Sequence, residues 1–188
     1  MIRSGVVRLL VLVSSLVVAT VLQASGAEKV PYVSDIRGAV HSGEAHVHFQ
    51  IRNGFSPEMV EALKSGIEIS FKTVARIENV RHGWFNKTIG EAEIVRSVRF
   101  DALSRVYRLN RGGREELVND VFGALAGMTE YDVTVPLTGD PGDRRSCRVL
   151  IRTRLDRVSL TEPLRSILFF SSLWDIETEW ARGYLAVQ

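Results

Sequence analysis

Four residues near the start of the chain have the types and spacing of a metal site. His41, Glu44, His46 and His48 flank the turn dipeptide Ser42-Gly43. Ala45, Val47, Phe49 and Ile51 alternate with His46, His48, Gln50 and Arg52, the period of a half-buried strand. A two-residue turn fixes the register: His41 faces Glu44, Val40 faces Ala45, Gly38 faces Val47 and Ile36 faces Phe49. The four candidates then share one polar face, with His46 diagonal to His41. Imidazole and carboxylate are ligands that zinc accepts. One reading is therefore a metal-dependent enzyme that uses His41, Glu44 and His46, with His48 nearby and a divalent ion as cofactor. Against it, Arg37 falls opposite His48 and sets a fixed positive charge beside the cation position. A plain solvated face without cofactor is the stronger reading.

A second polar group is basic. Arg148, Arg152 and Arg154 occupy the outer side of one strand pattern, flanked by Arg144, Arg145 and Arg157 and interrupted by Asp143 and Asp156. Such a stripe can meet an anionic partner, either lipid headgroups or an acidic protein. Alternatively it salt-bridges neighbouring acids and guards the strand against edge pairing. Trp84, Trp174 and Trp180 read as a binding surface or, more simply, as indoles that close a core. Cys147 is the single cysteine, so no internal disulfide framework exists. Its inward place beside Val149 and Ile151 makes it a small buried apolar residue. Asn86-Lys87-Thr88 has the form of a glycosylation acceptor. No serine sits in a nucleophile elbow and no glycine-rich loop suits a phosphate, so no catalytic residue is assigned.

The elements that position these groups are mostly strands. Ser56-Pro57-Glu58 opens a short helix with Met59, Val60 and Leu63 on its apolar side, and Ser65-Gly66 ends it. Ile67 to Ile77 alternates as a long strand, 81–90 reads as a loop, and Ala92 to Phe100 alternates again until Arg96 breaks the inward pattern. Arg105 to Leu109 continues as a short strand. Leu117, Val121, Ala124, Leu125 and Met128 recur at helical spacing. Tyr131 to Leu137 and Cys147 to Leu155 read as a second hairpin, and Thr161-Glu162-Pro163 as a third helix start. About seven strands without regular crossover helices predict a mainly β fold, an antiparallel β-sandwich with two or three short helices. The alternative is one curved antiparallel sheet with helices on one face.

Residues 1–27 read as a secretion signal. Arg3 and Arg8 precede an apolar run from Leu9 to Leu22, and Ala24-Ser25-Gly26-Ala27 supplies small residues for cleavage. The run is shorter than the ~20 residues of a membrane-spanning helix, so no stable span is expected after cleavage. Residues 28–188 then form a single β-rich domain, periplasmic or secreted. Removing Arg3 and Arg8 from 24 basic residues leaves 22, against 22 acidic residues. That zero balance argues against nucleic acid as a partner.

Several segments carry a resemblance. They are 61–71, the strand pair 97–109, Leu150 to Asp156 leading into Pro163-Leu164-Arg165, and the tail from Trp174 to Trp180. In order and spacing the chain resembles domain of unknown function 4390, a bacterial family of exported proteins. The resemblance implies no established activity and no catalytic residues to carry over. In some genomes members are encoded beside a membrane sensor kinase, which implies a link to envelope sensing. The expected function is a non-enzymatic periplasmic interaction module whose partner is an envelope protein. The metal-dependent enzyme above and an apolar-ligand carrier are the alternatives.

Overall fold

A computed structural model describes residues 30–81, 85–139, 147–159 and 176–187. Apart from Val30 these belong to one unit, Pro31–Gln188. The expected signal 1–27, the expected third helix, Trp84 and Trp174 lie outside the described residues, as do Arg144 and Arg145.

The fold is mainly β, with two sheets packed face to face. Its strands are β1 (Tyr32–His41), β2 (Glu44–Arg52), β3 (Glu68–Asn79), β4 (Lys87–Asp101), β5 (Val106–Arg111), β6 (Arg114–Val118), β7 (Glu130–Pro136), β8 (Cys147–Ser159), β9 (Ala181–Tyr184) and β10 (Ala186–Val187). Helix α1 (Pro57–Lys64) follows β2 and helix α2 (Val121–Thr129) precedes β7. One sheet runs β10-β1-β2-β7 and the other β6-β5-β4-β3-β8-β9. All pairings are antiparallel except that of β1 with the two-residue β10.

The first hairpin follows its turn chemistry. Ser42 (φ 51°) and Gly43 (φ 82°) both take positive φ, which matches the twist of the flanking strands. His41 faces Glu44, Val40 faces Ala45 and Gly38 faces Val47. The expected pairing of Ile36 with Phe49 is corrected: the register shifts between Ser34 and Arg37, and Asp35 has φ 54°. This bulge lets Val33 face Ile51 and keeps its side chain inside.

The six-stranded sheet is longer than its partner and uses one inner face twice. At one end Ala75, Ile77, Val149 and Ile151 pack on Val47, Phe49, Tyr131 and Val135 of the other sheet. At the other end Ile69, Phe71, Val98 and Leu109 pack on Met59 and Leu63 of α1 and Ala124 and Met128 of α2. Ser56 caps α1 by accepting the Met59 N–H at 3.3 Å, and Asp120 caps α2 by accepting the Gly123 N–H at 2.8 Å.

The supposed hairpin of β7 with β8 does not form. β7 pairs with β2, while β8 pairs along its whole length with β3. The longer ladder of β3 and β8 wins that strand, and β7 completes the sheet opposite. Leu117, expected in a helix, lies in β6, and Lys87 to Gly90, expected in a loop, extends β4. No helix among the described residues is long and apolar enough to cross a membrane.

Candidate binding cleft at the edge of β7

Two of the three candidate histidines take partners on β7. His48 Nδ1 lies 2.8 Å from an Asp132 carboxylate oxygen, and His46 Nδ1 lies 3.1 Å from the Thr134 hydroxyl. Glu44 is 4.0 Å from His46 and both are about half exposed. Arg37 stands opposite His48 and His41 opposite Glu44, as the register requires. Among the described residues no three of His, Cys, Asp or Glu group closely enough to hold a metal ion.

The arginine stripe joins a charged lattice on the outer face of the six-stranded sheet. Arg148 donates to Glu78 through Nε (3.1 Å) and Nη2 (2.9 Å). Arg152 meets Glu177 at 2.7 Å, Arg76 meets Glu91 at 2.7 Å and Lys72 meets Glu93 at 2.6 Å. The Trp180 ring lies between the Arg76 and Arg152 guanidiniums, at 5.1 and 5.8 Å from its centroid. Trp180 therefore covers this outer face and closes no core. Arg154 is exposed with no ion-pair partner among the described residues. Cys147 is buried, as its inward position predicts.

The charged groups that depart most from their ordinary behaviour serve the fold. Hydrogen bonds from Arg52 and Ser34 hold the Asp35 carboxyl below its usual range. The Ser56 hydroxyl lowers Glu58 at the start of α1. Asp101 is lowered by Ser104 and Arg108, which it holds across the turn between β4 and β5.

Arg96 is different. It occupies an inward position of β4 and is only 6% exposed. Its guanidinium carbon sits 3.7 Å from the centroid of the Tyr131 ring. Nη1 donates to Gly127 O at 2.8 Å and also to Glu130 O, tying the end of α2 to the start of β7. Nε is buried without a hydrogen-bond partner among the described residues. Burial works against its charge, and Arg111 adds to that effect, while Tyr131 and Asp132 favour it.

Register places Arg96 opposite Arg111, and Arg111 opposite Arg114. Three arginines thus stand in one row across β4, β5 and β6, an arrangement that like-charge repulsion disfavours. Glu116 relieves Arg111 at 2.9 Å. Arg114 has no acidic partner among the described residues. The row lines an open cleft of ≈ 380 Å³, whose apolar wall is Ile94 and Val133.

The chain belongs to the DUF4390 family. The family's sequence profile, described as a domain of unknown function, matches residues 31–183. Comparison with the curated proteins and with the solved structures finds no match. DUF4390 membership thus spans β1 to β8, most of β9, both helices and the whole arginine row.

The cleft runs along a strand edge. Among the described residues β7 is the last strand of its sheet. The Glu130 N–H bonds to Ala126 O and the Glu130 carbonyl accepts from Arg96, so both main-chain groups point away from β2. Antiparallel alternation turns Asp132 and Thr134 the same way. The Thr138 N–H, bonded to Ile89 O at 2.7 Å, keeps this phase. Among the described residues no main-chain partner meets Asp132 or Thr134 on that side. Sequence reading singled out Arg96 only as a break in alternation. It missed Arg111 and Arg114, whose signal is visible only once the strand register is known.

Proposed function

We propose that this protein is a non-enzymatic interaction module of the bacterial envelope, exported by residues 1–27 and working in the periplasm by holding a protein partner. The observation that carries the reading is the edge of β7, where Asp132 and Thr134 turn main-chain donors and acceptors away from β2, no described strand meets them, and Asp132 stands at an open cleft. An exposed strand edge is a recurring platform for an added strand, with main-chain bonds giving affinity and nearby side chains giving specificity. The pairing of outer-face charges with one another favours a fixed recognition surface over proton transfer, which needs a group poised to exchange. The link to envelope sensing that the family resemblance implies fits such a partner.

A photo-crosslinking amino acid at position 134 or 114, introduced in living cells, tests this. A discrete adduct with an envelope protein is expected at one or both positions. No adduct at either position, with the protein recovered from the cytosol, would overturn the reading.

A further inference from the structure

We propose that the cleft takes an extended acidic segment of a partner protein, which adds as a strand to β7 and places a carboxylate against the arginine row. The inference rests on the interaction reading above and gives its partner a chemistry.

Three observations converge on that occupant. The first is the open edge itself. Asp132 and Thr134 offer two N–H donors and two carbonyl acceptors at the spacing of alternate strand residues, about 6.6 Å apart. Glu130 and Thr138 are already bonded at either side, so the vacancy has defined ends. The second is charge. Arg96, Arg111 and Arg114 are adjacent in register, and Glu116 answers only Arg111. Asp132, at the rim, is engaged by His48 on the opposite face of the strand. The lining thus carries three guanidiniums and the three carboxylates of Glu116, Glu130 and Asp132, but Glu116 is spent on Arg111 and Asp132 on His48, and Arg114 has no acidic partner among the described residues. The third is the buried Arg96 Nε, which lacks a partner although Nη1 is fully used. A buried donor left unbonded is costly, and a fork that lines a cleft suits an incoming carboxylate.

These features act together. A strand on β7 would alternate its side chains, one toward the cleft floor and the next outward. Residues facing the floor meet Ile94 and Val133 near the edge and the arginines beyond it. The predicted segment thus combines main-chain pairing with apolar β-formers and one or two Asp or Glu residues on the inward side. A basic segment would face the row and be rejected.

The test is a selection of random octapeptides on the intact protein, followed by anisotropy titration of the enriched peptides. Enriched sequences should carry Asp or Glu alternating with Val, Ile or Thr. Replacing those acids by Asn or Gln should weaken binding at least tenfold, and so should Arg114→Gln, which lies on the exposed strand β6. N-methylation of the peptide amides that face β7 should abolish binding, while methylation of the alternate amides should leave it unchanged. That pair needs no change to the protein. Enriched peptides that are basic or uncharged, or binding indifferent to the phase of methylation, would overturn the proposal. So would failure to enrich any peptide, or binding only to phosphatidylglycerol vesicles. If the crosslinker at position 134 still captures an envelope partner after such a failure, the interaction reading stands and only the acidic strand falls.

Discussion

Replacing Arg96 by methionine tests how the two halves of the core are joined. The side chain sits where the helix-covered end of the six-stranded sheet meets the sandwiched end, and it holds α2 and β7 together. Two hydrogen bonds from a charged donor contribute about 1.5–3 kcal/mol each. A desolvated guanidinium over an aromatic face adds about 1–2 kcal/mol. Against these stands the cost of burying the charge, several kcal/mol per ion. Methionine removes both sides of the balance, keeps the packed stem and strands two carbonyls. The net loss is about 2–3 kcal/mol. With an m-value of about 2 kcal/mol/M, the urea midpoint should fall by about 1 M. Alanine adds a cavity and should cost about 4–5 kcal/mol. The assay is equilibrium urea unfolding followed by fluorescence, with m compared between variants. A methionine variant as stable as the parent, or more stable, would refute the argument and reduce Arg96 to a tolerated buried charge.

Other outcomes follow from the same packing. Phe49 stacks on Tyr131 at a centroid distance of 4.6 Å and is fully buried, so Phe49→Ala should cost about 3–5 kcal/mol by urea unfolding. A Cβ on Gly183 would lie 2.3 Å from Ile36 Cγ2 and 3.2 Å from Val149 Cγ1, so Gly183→Ala should lower stability by about 1–3 kcal/mol in the same assay. Burial pushes the Tyr131 hydroxyl above its ordinary value of 10.0, partly offset by Thr73 and Arg96. The neutral phenol is therefore the form the fold favours. This contribution is complete below pH 10 and is lost as pH rises through the higher folded value. In an ultraviolet alkaline titration one tyrosine should ionise only as the protein unfolds, and reversible ionisation in the native state would contradict this. Excess EDTA should leave the melting temperature unchanged, because His46 and His48 already bond to Thr134 and Asp132; a fall of several degrees would restore the metal reading.

Local chemistry explains which parts of the fold were legible. Alternation and the Ser42-Gly43 turn gave the first hairpin down to Gly38, because a tight turn leaves one register. The bulge at Asp35 escaped, since nothing in Ser34-Asp35-Ile36 requires a positive φ at an aspartate. β6 was hidden because Leu117 and Val121 happen to stand four apart, the spacing of a helix, although the turn Gly112-Gly113 precedes a strand. β9 and β10 are too short to show a period. The assignment of β7 to β8 failed for a different reason. Nearness in sequence favours a hairpin, but β8 gains a far longer ladder on β3. For the cleft, the carbonyls that Arg96 reaches lie 31 and 34 residues away, and the arginine row depends on two registers at once. Neither is a property of any local stretch.

The placement of the open edge can be weighed against the other sheet ends. β6 is five residues long and carries Arg114, Glu115 and Glu116, a charged edge that discourages pairing. β9 has four residues and β10 two, too short to template an added strand, and the part of β1 that β10 leaves uncovered is broken by the bulge at Asp35. β7 has seven, and among the described residues no strand meets Asp132 and Thr134 in its middle. Beside that edge, rather than elsewhere, stand three arginines in one row and a buried guanidinium nitrogen without a partner. An unprotected edge invites wrong association, a like-charge row weakens its sheet and an orphaned donor costs stability. The first two could be removed by ordinary substitutions, a lysine or proline on β7 and a threonine for Arg114, whereas Arg96 also ties α2 to β7. An open edge and a like-charge row that folding does not require, beside a buried arginine with a spare donor, point to a surface suited to contact.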